Sequence, residues 1–291
     1  MHIKNLFKEK NTVISLEIFP PKVNSSIDTI YKTIENLAYL NPDFISVTYG
    51  ALGSTKDKTV EIASLIKNKY EIESLAHLTC LTSSHDEINQ ITKNLKHNNI
   101  SNILALRGDF PKGYNTKEDT LSFKHADDLV EIIKKNNDFC VAGACYPEKH
   151  PESLSFENDL YNLNKKVEKG TDFLISQLFF DNNIFYNFIN QAKSQGINCP
   201  ISAGIMPVIN KKQIERIVSL TGASMSQKFL SILDRYEYNE EALKDAGIAY
   251  ATEQIIDLIS QGVDGIHIYT MNKPEIAKKI YGNIESVIKA V

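Results

Sequence analysis

Residues able to carry chemistry recur at the ends of eight short apolar runs in this chain of 291 residues. Carboxylate, imidazole, amide and phenol groups move protons and hold polar ligands. Because the carboxyl ends of parallel strands meet at one face of a closed barrel, these groups are predicted to converge on one pocket. In chain order the run ends are Glu17, Thr48-Tyr49, His77-Thr79, Arg107-Gly108-Asp109, Tyr146, Gln177, Gly204 and His267-Tyr269.

Glu17 is a charged residue inside an apolar run that Pro20 and Pro21 end sharply. Burying such a group is costly unless it is hydrogen-bonded or functional. Burial is expected to raise the pKa of this carboxyl, so that it can donate a proton near neutral pH. A salt bridge at the barrel mouth is the alternative interpretation.

Arg107, Gly108 and Asp109 follow the run Ile-Leu-Ala-Leu. The guanidinium is a planar fork suited to phosphate or carboxylate. Glycine would let the backbone approach a flat ligand closely. A structural ion pair between Arg107 and Asp109 is the alternative.

His77 and Thr79 alternate with apolar residues, so they share one face of a strand. A lone histidine on a strand is more often structural than catalytic, and no second histidine or carboxylate has recognisable metal-ligand spacing. No metal site is therefore predicted. Gln177 ends another run, and its amide can donate and accept at once, which suits the edge of a heterocycle.

A polar loop with two prolines, Cys145–Glu152, follows the fifth run and could cover a ligand. Asp159, Asn162, Lys165 and Lys166 then follow at helical spacing on about one face. That face is either part of a ligand site or an ordinary solvated helix surface, and spacing alone leaves both interpretations open.

The eight runs are short and almost continuously apolar, as expected of strands covered on both sides. Amphipathic stretches such as Ile27–Leu40 and Glu87–Leu95 separate them, and Gly170, Gly196 and Gly262 precede three strands as helix C-terminal caps. The predicted strands are Thr12–Phe19, Asp43–Tyr49, Glu73–Leu81, Ile103–Arg107, Phe139–Tyr146, Asp172–Phe179, Pro200–Met206 and Asp264–Tyr269.

This alternation predicts an α/β fold, a single-domain (β/α)8 TIM barrel over residues 1–291. An extra helix is predicted at Ser224–Tyr236, between strands 7 and 8. No GxGxxG follows any strand, which argues against a Rossmann dinucleotide site.

The net charge of −4 offers no basic face for nucleic acid, and no stretch approaches the length of a membrane span. The polar segment Met1–Lys10 has no apolar signal core. The four cysteines, Cys80, Cys140, Cys145 and Cys199, form no CxxC pair and are predicted to be buried, reduced thiols. A cytoplasmic location follows as an expectation.

Six blocks, taken in order from about Ser15 to Tyr269, resemble the methylenetetrahydrofolate reductase family of the bacterial type. Any one block is a weak signal, whereas the ordered set is specific. The blocks are Ser-Leu-Glu-Ile-Phe-Pro-Pro-Lys, Ser-Val-Thr-Tyr-Gly-Ala, His-Leu-Thr-Cys, Leu-Ala-Leu-Arg-Gly-Asp, Gly-Ala-Cys-Tyr-Pro-Glu-Lys-His-Pro-Glu and Ile-Ser-Gln-Leu-Phe-Phe-Asp.

The resemblance implies an oxidoreductase with FAD across the carboxyl-terminal mouth of the barrel. NADH or NADPH reduces the flavin, and 5,10-methylenetetrahydrofolate then takes the hydride in a ping-pong reaction. The product, 5-methyltetrahydrofolate, supplies methyl groups for methionine synthesis in one-carbon metabolism. A homo-oligomer is expected by the same analogy, and a C-terminal regulatory domain is not.

Residue by residue, the resemblance implies that Glu17 is the general acid and that Asp109 is a catalytic carboxylate beside flavin and pterin. Gln177 is implied to contact the substrate, as are Glu17 and Asp109. Further substrate-side positions are Gln213, Tyr269 and Lys273. The implied flavin-binding residues are Thr48, His77, Arg107, Gly108, Asp109, Ala144, Tyr146, Asp159, Asn162, Lys165 and Lys166.

Two departures stand out. Ile217 occupies a position where a related bacterial enzyme places a stacking aromatic, and Lys273 stands where an arginine would hold the glutamate tail of the folate. Two other hypotheses stay open: a flavin-free barrel enzyme acting on a pterin or phosphorylated substrate, and a non-catalytic flavin- or folate-binding protein.

Overall fold

A computed structural model describes residues 1–21, 27–49, 56–110, 121–136 and 138–291. Of the sequence blocks quoted above, Lys22, Gly50 and Ala51 lie outside the described residues. Eight parallel strands close into a barrel in chain order, with the last strand paired to the first. The strands are β1 Val13–Ile18, β2 Phe44–Val47, β3 Glu73–Thr79, β4 Asn102–Leu106, β5 Cys140–Cys145, β6 Phe173–Ser176, β7 Ile201–Ile205 and β8 Gly265–Tyr269. The predicted TIM barrel is confirmed.

Helices separate consecutive strands and surround the barrel. They are α1 Leu6–Glu9, α2 Ile27–Ala38, α3 Lys56–Lys69, α4 His85–His97, α5 Ala126–Asn136, α6 Phe156–Glu168, α7 Asn182–Ser194, α8 Lys211–Thr221, α9 Gln227–Tyr236, α10 Glu240–Ser260 and α11 Pro274–Ile288. The extra helix between β7 and β8 is confirmed as α9. The same connection also contains α8, a second addition that the sequence interpretation did not include.

Two of the predicted helix caps share one hydrogen-bond pattern. Gly196 has φ +86°, its N–H donates to the Lys193 carbonyl, and the Ile197 N–H donates to the Ala192 carbonyl. This pair of bonds is the Schellman motif, which needs a left-handed residue at the position after the cap. Gly262 repeats it with φ +74°. The predicted caps at Gly196 and Gly262 are thus confirmed. Gly170 also follows a helix end, with φ +114°, and its N–H donates to the Val167 carbonyl without the second bond of the motif.

Along β1 to β6, neighbouring apolar residues of a strand belong to two different hydrophobic clusters. One cluster joins strands from opposite sides of the barrel, among them at Val13, Phe44, Leu75, Leu104 and Phe173, and these side chains can meet only across the barrel interior. Their sequence neighbours point the other way, into a larger cluster shared with the helices. The two-residue period of a strand therefore accounts for continuously apolar runs with two buried faces.

The N-terminal segment closes the bottom of the barrel, where the strands begin. Ile3 and Leu6 join the interior cluster, and the Phe7 ring lies 5.1 Å from that of Phe173. The Ile3 N–H donates to the Asn102 side chain at 2.8 Å, at the start of β4. Apolar side chains thus fill most of the interior at this end, whereas Glu17 and His77 lie further along their strands, toward the carboxyl-terminal mouth.

All four cysteines are free thiols. Cys80, Cys140 and Cys145 are buried and Cys199 is half-buried, so the expectation of full burial is wrong for Cys199. Burial raises the pKa of Cys80 and of Cys140 to about 12, which leaves these thiols protonated and weakly nucleophilic at neutral pH. In the described ranges, no helix is both long enough and apolar enough to cross a membrane.

The long helix α10 is held against the residues that follow β7 by a glycine contact. A Cβ atom on Gly247 would lie 1.6 Å from the Val208 carbonyl oxygen, so the helix backbone and this segment touch directly. Gly282, in α11, has nothing within 4 Å of the same added atom. The two glycines therefore form a matched pair.

We expect Gly247→Ala to lower the free energy of unfolding by about 1–3 kcal/mol, because the added methyl forces α10 off Val208. Gly282→Ala should instead raise the free energy of unfolding by roughly 0.5–1 kcal/mol, the usual gain for alanine in a helix interior. Urea denaturation of both variants beside the parent protein measures these changes. Equal effects of the two substitutions would contradict the close packing at Gly247.

Candidate active site

Glu17 lies near the end of β1 with its side chain in the barrel mouth, only 6% exposed. Three groups from three other strands approach the same carboxylate oxygen, Oε2. His267 Nε2 lies 3.4 Å away, His77 Nε2 3.5 Å and Ser46 Oγ 3.4 Å. Closure of the barrel brings these residues together, since they come from β8, β3 and β2.

Strand register explains why these side chains converge. Glu17 is paired with Ser46 on one side and with Tyr269 on the other, and Ser15 is paired with His267. Residues two apart on a strand share a face. Ser15 and Glu17 in β1 therefore face the same interior as His267 and Tyr269 in β8.

The backbone next to Glu17 is pinned by the segment after β8. The Thr270 hydroxyl donates to the Glu17 carbonyl at 2.6 Å. The Asn272 side chain accepts from the Phe19 N–H at 2.9 Å and donates to the Phe19 carbonyl at 2.8 Å. These bonds fix the depth and direction of the Glu17 side chain in the mouth.

The pKa of Glu17 departs from the sequence-based expectation. Burial is the largest influence and raises it, but the hydrogen bond from His267 and the charges of His77 and His267, with the Ser46 hydroxyl, together outweigh burial. The net pKa of the carboxyl is lower than its ordinary value, so the predicted rise is wrong. The pattern of one strand could not reveal the two histidines that reach the carboxylate from other strands.

His77 is also buried, and for this residue burial decides the direction of the pKa shift. Burial lowers its pKa to about 4, and the attraction of Glu17 does not compensate. His77 is therefore neutral at neutral pH. Its Nε2 atom has no hydrogen-bond partner in the described part of the chain, and 3.5 Å from Glu17 is a contact distance rather than a hydrogen bond.

Tyr269 crosses the mouth from β8 to β6. Its hydroxyl donates to the Ser176 carbonyl at 2.8 Å, and its ring passes over Gly204 in β7. A Cβ atom on Gly204 would lie 2.2 Å from the Ser176 carbonyl oxygen and 2.9 Å from the Tyr269 ring. Glycine at 204 is therefore required by this crossing. Burial raises the pKa of Tyr269 well above its ordinary value, so its hydroxyl stays protonated.

A cleft of about 480 Å³ opens beside the mouth, between the ends of β4 and β5 and the helices α5 and α6. Seven predicted flavin-binding residues line it together, so the structure brings the α6 face and the two strand ends to one place. These residues are Arg107, Ala144, Tyr146, Asp159, Asn162, Lys165 and Lys166.

Arg107 forms a bidentate ion pair in this cleft, but its partner is Glu152 rather than Asp109. The two nitrogen–oxygen distances are 2.5 Å and 2.9 Å, and Glu152 is exposed. This hydrogen bond raises the pKa of Arg107 and lowers that of Glu152. The structural alternative of an Arg107–Asp109 pair is thus replaced by a pair with the loop after β5.

Lys166 and Asp159 organise the inner wall of the cleft. Lys166 Nζ donates to the Ala144 carbonyl at 2.5 Å, and burial lowers the pKa of this lysine. Asp159 accepts from the His150 N–H at 3.1 Å and from the Ser153 hydroxyl at 2.7 Å, which shapes the loop above it. Asn162 and Lys165 are exposed, and Lys165 Nζ lies 4.3 Å from the centre of the Tyr161 ring.

Gly108 has φ +82°, and a Cβ atom there would lie 2.8 Å from Cβ of Thr79. A left-handed backbone packed on β3 is therefore sufficient to require glycine here, and the predicted close approach of a ligand stays a prediction. Asp109 is exposed at the rim, just before residues 111–120, which lie outside the described ranges. Thr48 is half-buried beyond the end of β2, where its N–H donates to the Ile18 carbonyl at 3.1 Å.

The remaining substrate-side residues are spread around the mouth. Gln177 is half-buried, and its Oε1 accepts from the Leu178 N–H at 2.9 Å, which orients the amide. Gln213 is in the first turn of α8, and Lys273 is exposed at the start of α11. Ile217, half-buried, packs against the cluster of Leu178, Met206 and Phe229 that also contacts Tyr269.

Sequence interpretation did not single out Ser15, Ser46, Glu152 and Asn272, and it named His267 only among the run ends that converge on the pocket, without a role of its own. A signal existed for three of them. Ser15 stands two residues before Glu17, His267 two before Tyr269 and Ser46 two before Thr48, so each shares a strand face with a predicted site residue. No comparable signal indicated Glu152, whose ion pair depends on how the loop folds back.

Comparison with known proteins agrees with this geometry. The family model described as Methylenetetrahydrofolate reductase matches residues 2–285. Methylenetetrahydrofolate reductase (NADH) 1 of Arabidopsis thaliana is 35% identical over 97% of this chain, which spans 50% of that plant protein. The 5,10-methylenetetrahydrofolate reductase of Escherichia coli strain K12 is 36% identical over 92% of this chain and 88% of its own length.

The fold also matches a solved structure. A Clostridium thermocellum protein that binds two copies of 5-methyl-5,6,7,8-tetrahydrofolic acid superposes with a TM-score of 0.68. The superposition covers 99% of this chain and 100% of that one at 16% identity, which supports the fold alone. On the family match and the two relatives, this chain belongs to the methylenetetrahydrofolate reductase family.

Proposed function

We propose that the protein reduces 5,10-methylenetetrahydrofolate to 5-methyltetrahydrofolate, with a nicotinamide nucleotide as electron donor and FAD as the carrier between them. The observation that carries the proposal is the buried Glu17 carboxylate in a polar barrel mouth, in a chain of this family. The names of the Escherichia coli and Arabidopsis thaliana relatives support the folate reaction, and the plant name supports NADH as donor.

The residues of the mouth and cleft fit FAD. Arg107, Lys165 and Lys166 place three cationic side chains around one cleft, and such groups hold a diphosphate. His77 Nε2 is a buried polar atom without a hydrogen bond in the described chain, located at the mouth where a polar ring system can partner it. Asp159, Asn162 and Tyr146 complete the proposed set. When bound, FAD supplies the hydride transfer that no side chain can perform.

Glu17 is proposed to donate a proton to the nitrogen that leaves as the methylene bridge of the folate opens. Protonation makes that nitrogen a better leaving group and produces the iminium that accepts hydride. The carboxylate is buried and held by the pinned β1 backbone, so it meets the substrate in one orientation with little water present. Because its pKa is lowered without ligands, it must receive the proton that it donates.

Other residues are proposed to orient the folate. The Gln177 amide, with its oxygen on the Leu178 N–H, presents its remaining groups to the pterin edge. Tyr269 forms a fixed wall between β6 and β8. Asp109 at the rim is proposed to contact flavin and pterin, Gln213 the substrate, and the exposed Lys273 the glutamate tail. Ile217 offers an apolar surface in place of a stacking ring.

The first test is an anaerobic visible spectrum of the purified protein. We expect flavin bands that bleach when NADH is added and return when methylenetetrahydrofolate follows. Bleaching without return would indicate a flavin-binding protein that does not reduce folate. A colourless protein that takes up no added FAD would overturn the proposal and favour a flavin-free pterin enzyme.

Glu17→Gln should separate the two half-reactions. The amide keeps the shape of the side chain but cannot pass on a proton, so the folate half-reaction should slow by about 100-fold or more. Reduction of the flavin by NADH should change little. Stopped-flow absorbance follows each step separately, and Glu157→Gln on the exposed side of α6 is the control. Full activity in both half-reactions would remove Glu17 from the general-acid role.

Arg107→Gln should weaken FAD binding by about tenfold or more, since a charge-assisted hydrogen bond to phosphate is lost. Flavin fluorescence quenching on the apoprotein measures the change. Lys135→Gln is the control, because Lys135 is an exposed cation paired with Glu131 on α5.

Glu152→Gln tests the same cleft by a change that should raise FAD affinity instead of lowering it. Without the carboxylate partner, Arg107 no longer has to leave an ion pair to reach phosphate, so FAD affinity should rise. If neither Arg107→Gln nor Glu152→Gln changes the affinity, the diphosphate lies elsewhere.

A further inference from the structure

His267 is completely buried behind Glu17, deeper in the barrel. Its Nδ1 atom lies 2.7 Å from Ser15 Oγ, and Ser15 Oγ lies 3.2 Å from the Ile266 carbonyl oxygen. Its other nitrogen, Nε2, faces Glu17 Oε2 at 3.4 Å and Ser46 Oγ at 3.4 Å. One face of the ring stacks near Phe44, and Tyr269 lies edge-on at 5.3 Å.

The hydrogens available in this cluster limit how protons can be distributed between His267 and Glu17. Ser15 has one hydroxyl hydrogen, and it can go either to the Ile266 carbonyl or to His267 Nδ1. If it goes to Nδ1, the proton of the neutral imidazole must be on Nε2, facing Glu17. If it goes to the carbonyl, the proton of the neutral imidazole must be on Nδ1. The unprotonated Nε2 would then direct its lone pair at the Glu17 carboxylate.

In the second arrangement the Ser46 hydroxyl lies 3.4 Å from both Nε2 and Glu17 Oε2 and can donate to only one of them, so one more proton on Nε2 or Oε2 is what gives both atoms a partner. In that state the imidazolium is satisfied at both ends, by Ser15 and by Glu17, and Ser15 is satisfied in turn by the Ile266 carbonyl. The geometry therefore accommodates a Glu17–His267 pair that holds one proton beyond the neutral imidazole with an ionised carboxylate.

The other titratable groups around this pair do not compete for that proton. His77, from β3, faces the same oxygen of Glu17, yet burial lowers its pKa to about 4. Tyr269, from β8, uses its hydroxyl on the Ser176 carbonyl and stays protonated. Tyr146 and Cys145, on the β5 side, lie next to Tyr269 and have raised pKa values, so both stay neutral.

We propose that His267 is the positioning residue that stores the proton for Glu17 and supplies it during folate reduction. This inference rests on the proposed function. In the step, the N–H bond at His267 Nε2 breaks and its electron pair stays on the nitrogen. The proton joins Glu17 Oε2, and Glu17 gives a proton to the leaving nitrogen of the folate. Once product leaves, the lone pair on His267 Nε2 takes a new proton that comes from water.

The proposal accounts for a feature that the general-acid role alone leaves unexplained. Glu17 has a lowered pKa in the site without ligands, so by itself it is ionised at neutral pH and has no proton to give. A histidine whose Nε2 faces the carboxylate oxygen at 3.4 Å, and whose Nδ1 faces the Ser15 hydroxyl, can hold that proton until the substrate covers the mouth.

The kinetic test compares wild type with His267→Gln and with His267→Asn in the folate half-reaction, from about pH 5.5 to about pH 8.5. The amide of Gln can still donate to Glu17 but cannot store a proton. We expect its rate to fall at least about tenfold at about pH 7.5 and to recover as pH falls, because Glu17 then takes its proton from solution. Flavin reduction by NADH should be unchanged, and the exposed His97→Gln is the control.

A rate lowered by the same factor at every pH would mean that His267 only supports the fold, and an unchanged pH profile would mean that it has no role. Either result overturns the proposal. A wild type that never passes electrons to folate would instead overturn the proposed function.

A second measurement does not depend on activity. Nitrogen-15 NMR of histidine-labelled protein reports the protonation of both ring nitrogens, and the signal that His267→Gln removes identifies the residue. We expect His267 to be an imidazolium at about pH 7 in wild type and neutral in Glu17→Gln, because a buried cation without its carboxylate loses its proton. If the spectrum shows a neutral His267 beside an ionised Glu17 in wild type, the proposal that this pair stores a proton is overturned.

Discussion

The burial of one carboxylate, Glu17, is the constraint on which the mouth of this barrel depends. Moving an ionised group out of water costs several kcal/mol unless charges and hydrogen bonds replace the lost hydration. Here the hydrogen-bonding groups come from His267 and Ser46, which belong to two other strands, and His77 from a third strand lies at contact distance. The partners of Glu17 therefore exist only because the barrel closes.

Closure of the barrel also separates apolar from polar layers. The interior is filled from below by the N-terminal segment and by one apolar residue from most strands, as at Val13 and Phe44. Two residues further along the same strands, Ser15 and Ser46 take the equivalent inward positions, and Glu17 follows. The strand period thus places a dry layer beneath a polar one. This arrangement keeps water from reaching the carboxylate from below.

The mouth and the neighbouring cleft have opposite electrostatic character. The mouth centres on the Glu17 carboxylate and the histidines beside it, whereas the cleft gathers Arg107, Lys165 and Lys166. A ligand with a diphosphate and a flat ring would be held at both places, its charge in the cleft and its ring at the mouth. Within the cleft, the charge of Arg107 is paired with that of Glu152.

The sequence by itself determined the barrel, its strand order and the end at which the reactive residues meet, because these follow from local periodicity, helix caps and a general rule of parallel sheets. It also indicated Glu17, Arg107 and Tyr269 as residues of the mouth and cleft. Only the tertiary structure decided the direction of the Glu17 pKa shift, the partner of Arg107 and the reason for glycine at 108. Each of these depends on atoms brought from distant positions, such as His267, 250 residues from Glu17 in sequence, and electrostatic interactions follow separation in space, not along the chain.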